Sequence, residues 1–391
     1  MNLRLNLILL VISGAVIASC SSEKKQETDQ NEELSFEDKL HKRLEYMLAY
    51  PVDSTAFPRS IDNGKMKKVS SGDWTSGFFP GSLLFAYQLT GDHQYLERAE
   101  QWIPFIEKEQ FNTTTHDMGF KVYCSFGNLY KTEPNEHIKE VIIQSAKTLA
   151  GRFNPEIGCI RSWDFGRDMW QFPVIIDNMM NLELLFEATK LTGDSSFHII
   201  ALTHAETTLK NHFRADNSSF HVVDYNPETG QVIKKMTHQG LADSSSWARG
   251  QAWGLYGYTM AYRYTHKPEF LDQANKIASY IINNPQIPLD NVPYWDYNDP
   301  NIPNAPKDAS AAAITASALL ELCTFSNNEK QKAYAQSIIE TLSSDEYLIN
   351  VEDEIPFILA HSTGNKPANG EIDVPINYAD YYYLESLIRS K

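Results

Sequence analysis

Strand-forming runs are scarce in this sequence, and so are the short motifs that announce a chemistry. No GxGxxG, Walker A, HExxH or GxSxG pattern occurs, which counts against a nucleotide-binding protein, a zinc protease and a serine hydrolase. Cysteine is nearly absent. Cys20, Cys124, Cys159 and Cys323 show no CxxC spacing, so neither a disulfide framework nor a thiolate metal site is expected, and no cofactor is called for. The last three are read as buried thiols. Basic residues are also in deficit: 34 Lys and Arg against 50 Asp and Glu leave a formal charge of −16. That argues against non-specific binding to nucleic acid or to an anionic membrane. An anionic substrate would need local Arg, Lys and His.

The N-terminus carries an apolar run from Leu5 to Ala18 behind Arg4. It is too short for an ordinary membrane span and has the order of a secretory signal. It ends in Ile17-Ala18-Ser19-Cys20, which resembles a bacterial lipobox. An ordinary signal peptide shares the small-residue pattern. The expectation is a signal peptide over 1–19, a lipidated Cys20 with a polar tether over 20–35, and one folded domain over 36–391. The protein is then expected in a bacterial cell envelope, periplasmic or surface-exposed, touching membrane only through Cys20.

Helical periodicity dominates the rest. Phe36–Tyr50 places Leu40, Leu44, Met47 and Leu48 on one side. Leu89-Thr90-Gly91-Asp92 precedes a helix over His93–Glu109, and Leu191-Thr192-Gly193-Asp194 one over Phe197–His212. Further helices are expected over His137–Arg152, Glu269–Asn283 and Glu329–Ser343. Each is a helix, a short polar turn and a second helix. Their uneven spacing is unlike a fixed-period solenoid. About six hairpins over 36–391 suggest an all-α fold, an (α/α)6 barrel in one domain, with bundles and solenoids as alternatives. Minor strands are expected near Phe120–Tyr123 and Phe220–Val223.

The loops between hairpins hold the candidate chemistry. Val174-Ile175-Ile176-Asp177 delivers one acid from an apolar run to the expected N-cap of a helix. Capping alone would explain it. Apolar neighbours, however, desolvate a carboxyl and favour a proton donor, while a helix N-terminus favours the ionised form. A second acid would settle the balance, and Asp117 beside His116 supplies a candidate. Trp247-Ala248-Arg249-Gly250-Gln251-Ala252-Trp253 follows His238 and Gln239. As a helix it puts Arg249, Trp253 and Tyr256 on one face. Arg pairs with a carboxylate and Trp stacks on a sugar ring, which suits a uronate, although a core stripe with a snorkelling Arg reads equally from spacing. His221, Trp163-Asp164 and Trp295-Asp296 are either cleft or core residues.

Together these blocks resemble the unsaturated glucuronyl hydrolases, glycoside hydrolase family 88. The similarity runs from about Trp74 to the end through His116-Asp117, Asp177-Asn178-Met179-Met180-Asn181-Leu182, His238-Gln239-Gly240, the Trp247–Trp253 block and Asn377-Tyr378-Ala379-Asp380. Lys307-Asp308-Ala309-Ser310 departs modestly from the Arg-Asp-Ser-Ser more usual there. The resemblance implies an (α/α)6 barrel without metal that removes 4,5-unsaturated uronic acids from lyase-generated glycosaminoglycan oligosaccharides. It implies Asp177 as general acid/base and Asp117 as partner carboxylate. His116, His221, Gln239, Arg249, Trp253 and Trp74 fall on substrate-contacting positions. Alternatives are an unsaturated rhamnogalacturonyl hydrolase acting on pectin fragments, a non-catalytic glycan-binding lipoprotein, and a sugar epimerase.

Overall fold

Several helices start where the sequence supplies a cap. Asp92, Asp194, Asn135 and Asn328 each accept a backbone N–H from the first turn of the helix that follows. Gly91 and Gly193 end the preceding helices in the left-handed region, at φ 73° and 75°. Each Leu-Thr-Gly-Asp stretch therefore closes one helix and opens the next, as its residues predict. The computed structural model describes residues 34–391. The signal sequence, Cys20 and all of the tether but Leu34 and Ser35 lie outside the described residues.

The helices are α1 (Phe36–Ala49), α2 (Phe78–Thr90), α3 (His93–Trp102), α4 (Asn128–Thr132), α5 (Glu136–Ala150), α6 (Leu182–Thr192), α7 (Ser195–Asn211), α8 (Ala248–Thr265), α9 (Pro268–Ile282), α10 (Ala309–Ser326), α11 (Glu329–Leu342) and α12 (Asn377–Arg389). A π-helical segment, Gly119–Gly127, leads into α4. An inner ring runs α2, π-segment, α6, α8, α10 and α12, and α12 returns to α2. Outside it, α3 packs on α2, α5 on the π-segment and α6, α7 on α6, α9 on α8 and α11 on α10. The ring closes, so Phe36–Lys391 is the expected (α/α)6 barrel rather than a bundle or solenoid.

Composition follows position in the ring. Inner helix α10 is apolar all round, as a helix with neighbours on every side must be, while outer helix α9 is apolar on one stripe. Among the described residues α10 is the one helix long and apolar enough to cross a membrane, and it is mostly buried in the barrel. Free Cys124 and Cys159 are buried, and Cys323 is half-buried.

Strands are confined to the connections: β1 (Phe57–Asp62), β2 (Lys65–Val69), β3 (Phe153–Asn154), β4 (Cys159–Ile160), β5 (Pro173–Ile175), β6 (Val222–Tyr225), β7 (Val232–Met236), β8 (Ser362–Asn365) and β9 (Gly370–Val374). They form three hairpins and one antiparallel sheet of order β5-β6-β7. The strand expected at Phe120–Tyr123 is instead π-helical, because this segment is an inner wall of the barrel and buried on every side. The one near Phe220 exists but begins at Val222. The helix expected over His93–Glu109 ends at Trp102; Pro104 follows and the chain tightens into a 3-10 helix over Ile103–Phe111.

Candidate active site

Sheet register brings the first acid to the first histidine. Ile175 pairs with Val222, and the Ile176 N–H donates to the His221 carbonyl at 3.0 Å. Asp177 then falls in the first turn of a 3-10 helix, Ile176–Asn181, and is not the N-cap expected for it. Strand pairing carries the extended chain as far as Ile175, which takes the cap position, and the 3-10 turn delays α6 to Leu182. Asp177 is buried, and its Oδ2 lies 3.6 Å from His221 Nε2 without a hydrogen-bond partner. Burial pushes its carboxyl up to about 7. His116 and Arg249 oppose that rise, and the Asp117 charge adds a smaller push in the same direction.

Asp117 stands in the opposite state. Burial pushes it up, yet His116, a Thr115 hydroxyl and Lys121 together hold it below the usual carboxylate range. His116 Nε2 is 3.2 Å from Asp117 Oδ1, and Thr115 Oγ1 donates to Oδ2. Lys121 lies one turn further along, fully buried, with Glu109 at 3.6 Å. Gly119 lets the two acidic segments touch: a Cβ there would stand 2.7 Å from the Asn181 Cα. Across that contact the Phe120 N–H donates to Asn181 Oδ1 at 3.1 Å.

His221 has a defined tautomer. Its Nδ1 accepts the backbone N–H groups of His238 and Gln239, each at 3.1 Å, so Nε2 carries the proton toward Asp177. Burial, reinforced by His238 and Arg249, keeps the ring neutral. Gln239 reaches the site through this turn and is half-buried. Trp163 sits edge-on to His221 and His238, at 5.9 and 5.2 Å between centroids, with half-exposed Phe165 stacked on it at 4.9 Å. Trp295, by contrast, is core, and Asp296 accepts from the Leu241 N–H and the Ser245 hydroxyl.

Arg249 and Trp253 stand closer to the core stripe that their spacing equally allows than to a free, substrate-facing pair. The Arg249 guanidinium is buried and donates to Asp308 Oδ2 at 2.7 Å and to the carbonyls of Thr363 and Gly364. It is layered over Trp247 and Tyr378. Three of its five N–H donors thus tie α8 to α10 and β8. Trp253 is fully buried, its ring between Phe120 and Tyr382. Half-buried Trp74 keeps part of its surface open, beside Phe120 and Tyr378.

Sequence reasoning missed the supporting residues: Thr115 and Lys121 around Asp117, Asn181 between the segments, and the Arg249–Asp308–β8 tie. Asn181 carried a signal as part of the Asp177–Leu182 block, and Asp308 as the acid opening a late helix; its Oδ1 does accept the Ser310 N–H. Several buried polar atoms converge unpartnered here, on His116, Asp177, Asn181 and His221. Such groups are costly unless something binds them.

A closed helical barrel holding one carboxyl pushed up and one held low beside histidines is the arrangement of an acid/base enzyme. The profile of Glycosyl Hydrolase Family 88 matches residues 54–386. The chain belongs to that family and is a glycoside hydrolase. It is 52% identical over 376 residues to an unsaturated glucuronyl hydrolase of Formosa agariphila, covering 95% of this chain and 94% of that one. It is 31% identical to an unsaturated chondroitin disaccharide hydrolase of Streptococcus pneumoniae, covering 90% of each. A crystal structure of an unsaturated glucuronyl hydrolase specific for heparin superposes with a TM-score of 0.87 at 45% identity, covering 91% of this chain and 95% of that one.

Proposed function

We propose that the enzyme removes the 4,5-unsaturated uronic acid from the non-reducing end of lyase-generated glycosaminoglycan oligosaccharides. The observation that carries the reading is the opposed pair: a carboxyl raised to about 7 at Asp177 and one held low at Asp117, in segments locked together through Gly119. Protonated Asp177 gives its proton to C4 of the enol ether. A water adds its hydroxyl at C5 and returns its remaining proton to Asp177, so the carboxyl is regenerated. The C5 hemiketal opens to a ketone, and the hemiacetal left at C1 expels the remaining saccharide as an alcohol. Nothing is oxidised or reduced. Asp117 stays ionised and orients His116. The Nε2–H of His221 and the Gln239 side chain orient the sugar, Trp74 offers it an aromatic surface, and Arg249 supplies positive charge for its carboxylate.

Ultraviolet absorbance tests the reading, because hydration destroys the conjugated enol ether. Incubation with unsaturated disaccharides from chondroitin, hyaluronan and heparin should lower the absorbance with at least one of them. A fall with pectin fragments alone would favour a rhamnogalacturonyl hydrolase, and no fall with any from folded protein would favour a glycan-binding protein. The lipid anchor at Cys20 is supported by the lipobox-like Ile17-Ala18-Ser19-Cys20. Incorporation of labelled palmitate, lost in Cys20→Ser, is the expected result.

A further inference from the structure

A cavity of about 530 Å³ lies between the end of α5, the β3–β4 hairpin and Thr113. It contains none of the site residues above, though Thr113 is only three residues from His116. Its walls include Lys147, Arg152, Arg161, Phe153 and Phe172. In a chain of formal charge −16 this concentration of cations is out of character.

One carboxylate serves the cluster. Asp164 is held below its usual range by Arg152, Arg161 and Arg167 together, once burial has pushed it up. Arg152 is the fixed member: it grips both Asp164 oxygens, at 3.0 and 3.1 Å, the Arg161 carbonyl at 2.9 Å and the Thr113 carbonyl. Arg161 commits only Nε, to the Trp163 carbonyl at 2.9 Å, and lies over the Phe172 ring at 5.9 Å. Lys147, in the last turn of α5, is exposed and has no acidic partner among the described residues. Lys147 and the Arg161 terminal nitrogens, with donors uncommitted, therefore border a space that Phe153 and Phe172 help to line, while Arg161 Nε lies 3.5 Å from Asp164.

That volume is in the range of small-molecule sites. A planar guanidinium beside an ammonium binds sulfate or carboxylate, and aromatic faces accept the C–H face of a sugar ring. We propose that this cleft is a second binding site, apart from the carboxylate pair, for an anionic saccharide bearing sulfate or uronate groups. The choice of a saccharide over other anions rests on the function proposed above; the choice of an anion does not. Thr113 connects the cleft to the loop that carries His116 and Asp117.

Calorimetry with a saturated, sulfated glycosaminoglycan hexasaccharide tests the site, since a saturated end lacks the enol ether and is not turned over. The wild-type enzyme should bind it. Lys147→Glu should weaken binding about tenfold and Lys147→Glu with Arg161→Gln further, from the loss of charge-assisted hydrogen bonds. Hydrolysis of unsaturated disaccharides should stay within about twofold of wild type in Lys147→Glu, because that side chain is exposed and outside the catalytic machinery. The proposal is overturned if the hexasaccharide does not bind, if both variants bind it as wild type does, or if inorganic sulfate alone binds as tightly. Failure of disaccharide hydrolysis would count against the proposed reaction and leave this binding result standing.

Discussion

Two buried carboxyls in this barrel share a physical state and differ in their surroundings. Burial pushes Asp177 up to about 7 and Asp380 up to about 8. Asp380, like Asp177, keeps one oxygen, Oδ2, without a hydrogen bond, but the backbone and the cation around it are committed. Its Oδ1 accepts the Leu359 N–H at 2.9 Å, and neighbouring Arg43 is spent on the carbonyls of Asn350, Asp353 and Phe357, at 2.9, 2.6 and 2.9 Å, and of Ile355. Around Asp177, His116 Nδ1, His221 Nε2 and Asn181 Nδ2 are left without hydrogen bonds, while His116 Nε2 faces Asp117. A raised acid therefore does not mark catalysis by itself. The difference that supports proposing Asp177 as the acid is the larger number of neighbouring polar groups that the fold leaves unsatisfied.

Neutralising each acid gives the largest test of that contrast. Asp177→Asn should lower kcat by about 10²–10⁴-fold or more, since it removes a positioned proton donor. Asp380→Asn should leave kcat within a few-fold, because the amide still accepts from Leu359. The absorbance assay on unsaturated disaccharide reads both, with circular dichroism to confirm that each is folded. Equal losses in the two variants would break the comparison.

Gly119→Ala comes next. A methyl 2.7 Å from the Asn181 Cα must push apart the segments bearing Asp117 and Asp177. Displacement on the order of 1 Å costs about 10²-fold when geometry is the source of rate. The expected signature is a fall in kcat in protein that remains helical by circular dichroism. Near-normal turnover would show that the Gly119 contact does not set the spacing of the carboxylates.

The same contrast explains what was legible in the sequence. Caps and periodicity are local, so Leu89–Asp92 and Leu191–Asp194 announce helix boundaries directly, while the count of hairpins suggests a barrel that only the closed ring separates from a bundle or solenoid. Asp117 was legible as a candidate second acid for Asp177, but the contact that brings the two segments together was not, because Gly119 and Asn181 lie far apart in the chain. Spacing placed Arg249, Trp253 and Tyr256 on one face of α8 but could not tell which way that face turns. A helix of the inner ring is buried on every side, so Trp253 became core and Arg249 a tie to Asp308 and β8. The stretch Phe120–Tyr123 fits a strand by composition, and the tertiary demand for an inner helix overrode it.

The pH profile separates the two acids of the site. Asp177 must carry a proton to donate one, so kcat/KM should fall about tenfold per pH unit above about 7. On the acid side activity should persist below the usual carboxylate range, since Asp117 is held ionised there. Asp117→Asn removes a charge that pushes Asp177 up, so the alkaline limb of its residual activity should move to lower pH. A rate still rising at about pH 9 would break the assignment of Asp177 as donor.

The smallest effect concerns stability, and here the two acids should agree. Each has a folded pKa raised above its ordinary value near 4. A raised group contributes stability that is complete below the unfolded pKa and disappears as pH rises through the folded one. Stability held by Asp177 is therefore present below about pH 4 and lost by about pH 7. For Asp380 the loss runs on to about pH 8. Ionised at higher pH, the carboxylate costs the fold at most on the order of 4 kcal/mol at Asp177 and about 6 kcal/mol at Asp380, which an asparagine does not. The melting temperatures of Asp177→Asn and Asp380→Asn, measured against wild type, should therefore both improve from pH 4 to pH 8. The Asp177→Asn curve should level off first. If only Asp380→Asn improves, Asp177 is not desolvated as its burial implies, and its role as the proton donor loses its physical basis.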